Sequence, residues 1–237
     1  MKTLILSILV FTMACISNAQ DYVGSFEFEG NERQYEVYLP QNFQANMPLV
    51  VYFHGNACTI ACIEEYTAMH EVTDTMGFIL VYPQGIRNRW NTGYIHPTKD
   101  FPYINDIGFI SALRDLMKAK WDIDLSRVYC SGFALGGAMS FRMAGELGHR
   151  LAAIASASGA LFSLADTWQP IQPMPVIYMH GTADYLNPYE GEGDWWSAQN
   201  TIQYWLEKNQ CTASVDTFSF PDIDPYDGCT IQKISYT

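Results

Sequence analysis

Three turns in this sequence place glycine and polar residues directly after a short apolar run. They are His54-Gly55-Asn56-Ala57, residues 132–137 (GFALGG) and His180-Gly181-Thr182-Ala183-Asp184. A glycine turn can direct backbone N–H groups at a developing negative charge, and a carboxylate can orient a histidine base. Together these groups indicate nucleophilic attack on a carbonyl, although an ordinary strand-end turn is the alternative for the first of them.

The second turn has the spacing of a nucleophile elbow, a sharp strand-to-helix turn that exposes a serine between glycines. Gly132 and Gly136 fit this G-x-S-x-G pattern, but the middle residue is Ala134. Dinucleotide-binding turns need G-x-G-x-x-G, which these glycines do not match. The turn is therefore predicted to be an elbow without its nucleophile, with a plain packing turn as the alternative.

The carboxylate of Asp184 is the candidate acid of this site. In proteins with a serine elbow, the acid follows a later strand and precedes the histidine in the chain. Asp184 comes 50 residues after Ala134, which suits that order. A lone loop aspartate is often only a turn residue, because its side chain bonds to nearby backbone.

Hydrophobic patterning predicts the elements that position these turns. Continuous apolar runs indicate strands buried on both faces, and apolar residues at helical spacing indicate helices. Alternating strands and helices predict one α/β domain with a mostly parallel sheet covered by helices on both faces. Strands are predicted at 23–28, 34–39, 49–53, 78–82, 127–131, 152–157 and 176–179, and helices at 62–76, 106–121, 135–147 and 195–208.

The first 19 residues are predicted to be a secretory signal peptide. A lysine precedes an apolar run over residues 4–13, and the small-residue site Ser17-Asn18-Ala19 predicts cleavage before Gln20. Lipid attachment at Cys15 is a less favoured alternative. The mature domain is then residues 20–237, secreted or periplasmic.

Export permits disulfides, and five cysteines follow the predicted cleavage site. Cys211 and Cys229 flank a segment rich in proline and aspartate and are predicted to form a bridge. Cys58 and Cys62 are close enough for a second bridge if the local turn allows it. Cys130 lies in a predicted buried strand as a small apolar side chain, and no ligand cluster indicates a metal.

The chain is acidic, with a formal net charge of −12, and 49% of its residues are apolar. Nucleic acids and anionic membranes attract basic surfaces, so neither is predicted as a partner.

At these motifs the sequence resembles the secreted α/β-hydrolases that include polyhydroxybutyrate depolymerases and feruloyl esterases. The resemblance covers about residues 34–236. It implies the α/β-hydrolase fold, no cofactor, and cleavage of aromatic acid esters on plant polysaccharide or of short hydroxyalkanoate polyesters. The motifs that carry it are residues 35–40 (YEVYLP), Phe53-His54-Gly55, Gly77 through Gly85, Trp90-Asn91, residues 106–109 (DIGF), Arg127-Val128-Tyr129 before Gly132, residues 180–184 and Asp227-Gly228-Cys229.

The resemblance also implies roles for individual residues. The family's nucleophilic serine corresponds to Ala134 and its acid to Asp184. Its oxyanion donors correspond to the backbone amides of Leu135 and Asn56. It further implies substrate-binding positions at His54 and at Trp90, which would line the acyl pocket.

The chain departs from this family at two places. One is Ala134, and neither Ser131 in the preceding strand nor Ser140 inside the following helix can replace the missing hydroxyl. The other is the catalytic histidine, which the family carries in a glycine-rich turn beyond the region of Tyr236. The C-terminal part of the fold is therefore expected to be incomplete.

Three hypotheses remain from the sequence. The chain is a serine esterase inactivated by a serine-to-alanine change, or a non-catalytic relative that binds carbohydrate or polyester, or a hydrolase of another kind such as a peptidase or lipase. In the first two cases we expect it to bind esters and scarcely to hydrolyse them.

Overall fold

The computed structural model describes residues 20–93, 103–168, 172–212 and 215–237, so the predicted signal peptide lies outside it. The strands are β1 (Gln20–Phe28), β2 (Asn31–Leu39), β3 (Leu49–Phe53), β4 (Ile79–Pro83), β5 (Val128–Phe133), β6 (Ala153–Ala157), β7 (Val176–Met179), β8 (Val215–Ser219) and β9 (Gln232–Tyr236). The helices are α1 (Ile60–Thr67), α2 (Met69–Met76), α3 (Asp106–Trp121), α4 (Leu135–Leu147) and α5 (Ala198–Asn209), with short 3₁₀ helices at Ile86–Asn88, Gly148–Arg150 and Ser163–Thr167.

The central sheet has seven strands in the order β1-β2-β4-β3-β5-β6-β7, and β8 and β9 form a separate antiparallel hairpin. The predicted entry hairpin is confirmed, since β1 and β2 pair antiparallel. Strands β4, β3, β5, β6 and β7 run parallel to one another, and β4 pairs antiparallel with β2 on its other side. The carboxyl ends of these five strands therefore meet at one edge of the sheet, and this edge holds the candidate site.

Helices cover both faces of this sheet, as predicted. Successive side chains of a strand point to opposite faces. In β3, Val51 and Phe53 join the larger hydrophobic cluster, which includes residues of α3, α4 and α5. Tyr52 joins a second cluster with Ile60 and Ile63 of α1. This alternation explains why β3 is apolar throughout rather than at every second residue.

The predicted helix over 62–76 is wrong in one respect, because the structure contains two helices there. Ala68 separates α1 from α2 with left-handed φ and ψ angles of 45° and 33°. Its amide donates to the carbonyl of Glu64 and so caps α1. A break at alanine carries no glycine or proline signal, so the sequence pattern did not indicate it.

A buried ion pair joins β2 to the start of α3, and its carboxylate also binds the loop after β4. Arg33 donates to Asp106 at 2.7 Å, and both side chains are 1% exposed. The guanidinium of Arg33 also lies 3.7 Å above the ring centre of Phe109. The second carboxylate oxygen of Asp106 accepts from the Asn91 amide at 2.7 Å, which fixes the chain immediately after Trp90.

One disulfide is present among the described cysteines, and it joins Cys58 to Cys62 with a Cα–Cα distance of 5.7 Å. The bridge closes the turn that enters α1, so the alternative that the sequence left open is the one observed. Cys130 is buried in β5, and burial raises the pKa of its thiol.

The predicted bridge between Cys211 and Cys229 is wrong, because both thiols are free. Cys211 lines a surface cavity together with Val215 and Tyr236, which pair at the base of the β8–β9 hairpin. Cys229 lies beyond Ile231, at the opposite end of that hairpin. The ladder is about 17 Å long at roughly 3.3 Å per residue, well beyond the reach of a disulfide.

No helix among the described residues is long and apolar enough to cross a membrane.

The Glu64 carboxyl of α1 has a perturbed acidity. Burial, followed by repulsion from Glu36 and Asp21, raises its pKa to about 7. His70 Nε2 lies 3.6 Å from the carboxylate, and the Glu64 side chain is 24% exposed. Because its folded-state pKa exceeds the ordinary value, Glu64 stabilises the fold when protonated, and that stabilisation is lost as pH rises through about 7.

We therefore expect Glu64→Gln to stabilise the protein at pH 8, by about 1 kcal/mol after allowance for solvent screening. At pH 5 the change should be close to zero, because the native carboxyl is then already protonated. Urea unfolding at the two pH values measures the difference. Glu65→Gln, on the exposed side of the same helix, is the matched control and should show no such pH dependence. Equal effects of the two substitutions would contradict the assignment.

Candidate active site

Ala134 occupies a sharp turn between β5 and α4, as the elbow prediction requires. Its φ and ψ angles are 51° and −113°, a combination that is unusual for any residue with a side chain. Two hydrogen bonds hold it there: its amide donates to the Ala157 carbonyl at 2.8 Å, and its carbonyl accepts from the Ala138 amide at 3.1 Å. Such backbone strain persists only where the surrounding structure imposes it.

The two glycines of the motif are required by close backbone contacts. A Cβ on Gly136 would lie 2.2 Å from the Phe53 carbonyl oxygen at the end of β3. A Cβ on Gly132 would lie 2.4 Å from the carbonyl of Gly136. The backbone of α4 is thus in direct contact with that of β5 and with that of the end of β3. Only glycine therefore fits at both positions. The G-x-A-x-G spacing is thus explained by packing around Ala134.

The turn after β3 lies directly against the elbow. A Cβ on Gly55 would be 3.8 Å from the Ala134 Cβ. The amides of Asn56 and Leu135 have no acceptor among the described residues. Leu135 is also the first residue of α4, where unpaired amides and the helix dipole favour negative charge. The positions predicted for the oxyanion donors are therefore neighbours of the elbow, and their catalytic role stays a prediction.

The prediction that His54 and Trp90 contact substrate is corrected by the structure, because both side chains are 0% exposed. The Trp90 Nε1 donates to the His54 carbonyl at 2.9 Å, and the two rings pack at 4.8 Å. His54 Nε2 accepts from the Gly85 amide at 2.9 Å, and Nδ1 donates to the Gly55 carbonyl at 2.8 Å. Burial lowers the pKa of His54. A neutral imidazole thus braces the turn from inside the protein.

Asp184 follows β7, at the same sheet edge as the elbow. One of its oxygens accepts from the amides of Leu186 and Asn187 at 3.0 and 2.9 Å. Burial acts to raise the Asp184 pKa, but these amide bonds and a bond from the Ser158 hydroxyl outweigh it and lower the pKa. The carboxylate is consequently ionised and oriented at neutral pH. Its side chain is 18% exposed, so it remains accessible.

None of the described histidines is placed to act as a base at Ala134. The ring nitrogens of His54 are both used, as above. His180 lies 3.8 Å from Asp184, but its Nδ1 accepts from the Tyr178 hydroxyl and its Nε2 donates to the Asn187 carbonyl. His149 follows the far end of α4, about 20 Å away at 1.5 Å per residue.

The two remaining histidines are accounted for differently. His70 packs against Tyr38 and lies beside Glu64 on the helix pair α1–α2. His96 lies outside the described residues.

The sequence reasoning missed two contributors to this site. Ser158, which has a positive φ of 50°, bonds to Asp184 through its hydroxyl and so links β6 to the acid. Phe133 precedes Ala134 and has a side chain that is 43% exposed. Phe133 could have been found from the sequence, because it lies inside the elbow motif. No sequence motif marks Ser158.

Comparison with known proteins gives a consistent result. Residues 107–213 match the phospholipase/carboxylesterase family. The chain is 29% identical to the bifunctional acetylxylan esterase/xylanase XynS20E of Neocallimastix patriciarum, over 80% of this chain and 26% of that protein. It is 30% identical to the putative esterase NocK of Nocardia uniformis, over 68% of this chain and 48% of that protein. A probable feruloyl esterase C of Aspergillus niger is 24% identical, over 68% and 58% of the two chains.

Solved structures support the same fold. A thermostable esterase aligns with a TM-score of 0.59 and 20% identity, over 82% of this chain and 53% of that one. An acylaminoacyl peptidase of Pyrococcus horikoshii aligns with a TM-score of 0.57 and 14% identity, over 81% and 36%. The chain spans between about a quarter and three fifths of the three curated relatives. The chain has the α/β-hydrolase fold, as its motifs predicted.

Proposed function

We propose that this chain is the hydrolase domain of an exported serine-type carboxylic ester hydrolase whose nucleophile position holds alanine. The observation that carries the proposal is the backbone of Ala134, with φ of 51° at the strand-to-helix turn. A turn that served only to connect β5 to α4 would not need this strained conformation. A nucleophile does need it, because the turn exposes the side chain beside amides that can bind an oxyanion.

In the proposed chemistry each group has one role. A serine at position 134 attacks the ester carbonyl, and a histidine accepts its proton. Asp184 orients that histidine and stabilises its charged form, while the Asn56 and Leu135 amides hold the oxyanion. Once serine is restored at position 134, the histidine is the one member of the triad that no described residue supplies.

Ala134 has no atom that can attack, so the chain as it stands keeps only binding and oxyanion stabilisation. In another serine hydrolase, loss of the nucleophile costs on the order of a millionfold in turnover. We therefore propose that this polypeptide binds esters and scarcely hydrolyses them.

The proposed substrates are esters of aromatic acids on plant polysaccharide, with short hydroxyalkanoate polyesters as the alternative. The names of the relatives include a probable feruloyl esterase, which favours an aromatic acid ester, and an acetylxylan esterase, whose acyl group is not aromatic. The net charge of −12 also favours a neutral substrate over a polyanion. We propose action outside the cytoplasm because of the predicted signal peptide, which lies outside the described residues.

A non-catalytic binding protein for carbohydrate or polyester is the second candidate, and Ala134 itself is the observation that favours it. The two candidates differ in what happens when the nucleophile is restored.

We expect Ala134→Ser, in protein expressed from the complete coding sequence, to raise hydrolysis of p-nitrophenyl acetate or methyl ferulate by at least about a thousandfold. Initial rates measure the change. The control is Ala134→Ser combined with Asp184→Asn, which should lose most of the gain because the histidine is then wrongly oriented. If the restored protein cleaves no aryl, feruloyl, acetyl or hydroxyalkanoate ester, the binding protein is the better account.

The elbow itself is testable through Gly136→Ala. The added Cβ would meet the Phe53 carbonyl oxygen at 2.2 Å, so we expect a loss of about 3 kcal/mol or more in the free energy of unfolding. Gly181→Ala is the matched control, because nothing lies within 4 Å of its added Cβ. It should change stability by less than about 0.5 kcal/mol. Similar stabilities for the two variants in urea would show that the elbow is not packed as described.

A further inference from the structure

We propose that Phe133 and Tyr66 form a subsite that binds the aromatic ring of the substrate's acyl group. The inference rests on the proposed function, because it assigns part of the ester to a place beside Ala134. It goes further by naming the side chains that would select an aromatic acyl group over an acetyl group.

The two exposed rings form one aromatic surface and have nearly parallel planes. Their planes differ by 21° and their centres are 6.5 Å apart. Tyr66 is 78% exposed and Phe133 is 43% exposed. Exposed large apolar side chains are unremarkable singly, but a parallel aromatic pair is the kind of surface that binds a planar ring.

This surface adjoins the reacting position. The Phe133 Cδ1 lies 3.4 Å and the Ala134 Cβ lies 3.8 Å from the place where a Gly55 Cβ would be. The two atoms are therefore less than about 8 Å apart, with the chain of the predicted oxyanion turn beside them. An acyl group whose ring is joined to the carbonyl by a short spacer fits this separation.

The strand order indicates which half of the ester lies there. β5 has β3 on one side and β6 followed by β7 on the other. Asp184 follows β7, so the histidine that it orients, and the leaving alcohol that this histidine protonates, belong on that side. Phe133 and Tyr66 lie on the other side, next to the β3 turn and helix α1. This placement assigns them to the acyl group.

The disulfide strengthens the assignment by holding Tyr66 in place. Cys62 lies one helical turn before Tyr66, and its bond to Cys58 ties α1 to the turn that carries Asn56. The ring surface and the predicted oxyanion amide are therefore parts of one braced segment.

Two isomeric probes, methyl cinnamate and cinnamyl acetate, test the inference. The first has its ring on the acyl side and the second has it on the alcohol side. Because Ala134 prevents turnover, dissociation constants can be measured on the protein as it stands by ligand-observed NMR. We expect Phe133→Leu and Tyr66→Leu each to weaken methyl cinnamate by about threefold to tenfold, the range that loss of one aromatic contact gives. Cinnamyl acetate should change by less than twofold.

Two controls separate ring binding from a general effect on the fold. Tyr66→Phe keeps the ring and should bind methyl cinnamate like the original protein. Tyr226→Ala removes a tyrosine that is even more exposed, at 96%, in the connection between β8 and β9 and should also have no effect. Unchanged thermal unfolding of the Leu variants confirms that they are folded.

The inference is overturned if the Leu variants leave methyl cinnamate unchanged, or if they weaken cinnamyl acetate instead. Its failure is distinguishable from failure of the proposed function. If Ala134→Ser cleaves acetyl esters but the Leu variants bind methyl cinnamate as tightly as the original protein, the proposed function stands and the subsite is rejected. If the Leu variants lose methyl cinnamate binding but Ala134→Ser hydrolyses no ester, the subsite stands and the esterase function is rejected.

Discussion

The contact between the first turn of α4 and the end of β3 is the constraint on which the rest of the site depends. Gly136 packs so closely against the Phe53 and His54 carbonyls that no side chain fits between them. This contact draws the helix start over the sheet edge and leaves Ala134 with a positive φ. It also sets the Gly55 turn beside the elbow. One backbone contact thus positions the nucleophile site and both predicted oxyanion amides.

A second layer of buried groups supports that arrangement from behind. The His54 imidazole bonds to the Gly85 amide, and Trp90 bonds to the His54 carbonyl. The Arg33–Asp106 pair in turn fixes the residue after Trp90. Burying an ion pair is costly unless its hydrogen bonds are satisfied. Asp106 uses both carboxylate oxygens, whereas the buried Nε of Arg33 has no partner among the described residues. The site therefore keeps a supporting network that alanine at position 134 leaves untouched.

Much of the fold could be predicted because local patterns and tertiary packing agree. The bounds of β3, α3, α4 and β7 match the prediction, because β3 and β7 are continuous apolar runs and the apolar residues of α3 recur at helical spacing. The break at Ala68 could not be predicted, because no glycine or proline marks it in the sequence.

The candidate site could likewise be predicted only in part. The elbow glycines carry their own signal, because close backbone contact excludes every other residue type. The burial of His54 and Trp90 carries none, since motif position does not say on which side of a turn a side chain lies. The Cys211–Cys229 prediction failed for a related reason: chain spacing does not reveal that an intervening hairpin holds the two thiols apart.

A crystal structure of the protein with a bound ester tests the central claim most directly, because alanine at position 134 leaves the ester intact. The account predicts a positive φ near 50° at Ala134 and an ester carbonyl oxygen within hydrogen-bond distance of the Asn56 and Leu135 amides. An ordinary negative φ at Ala134, or an ester bound away from both amides, would contradict it.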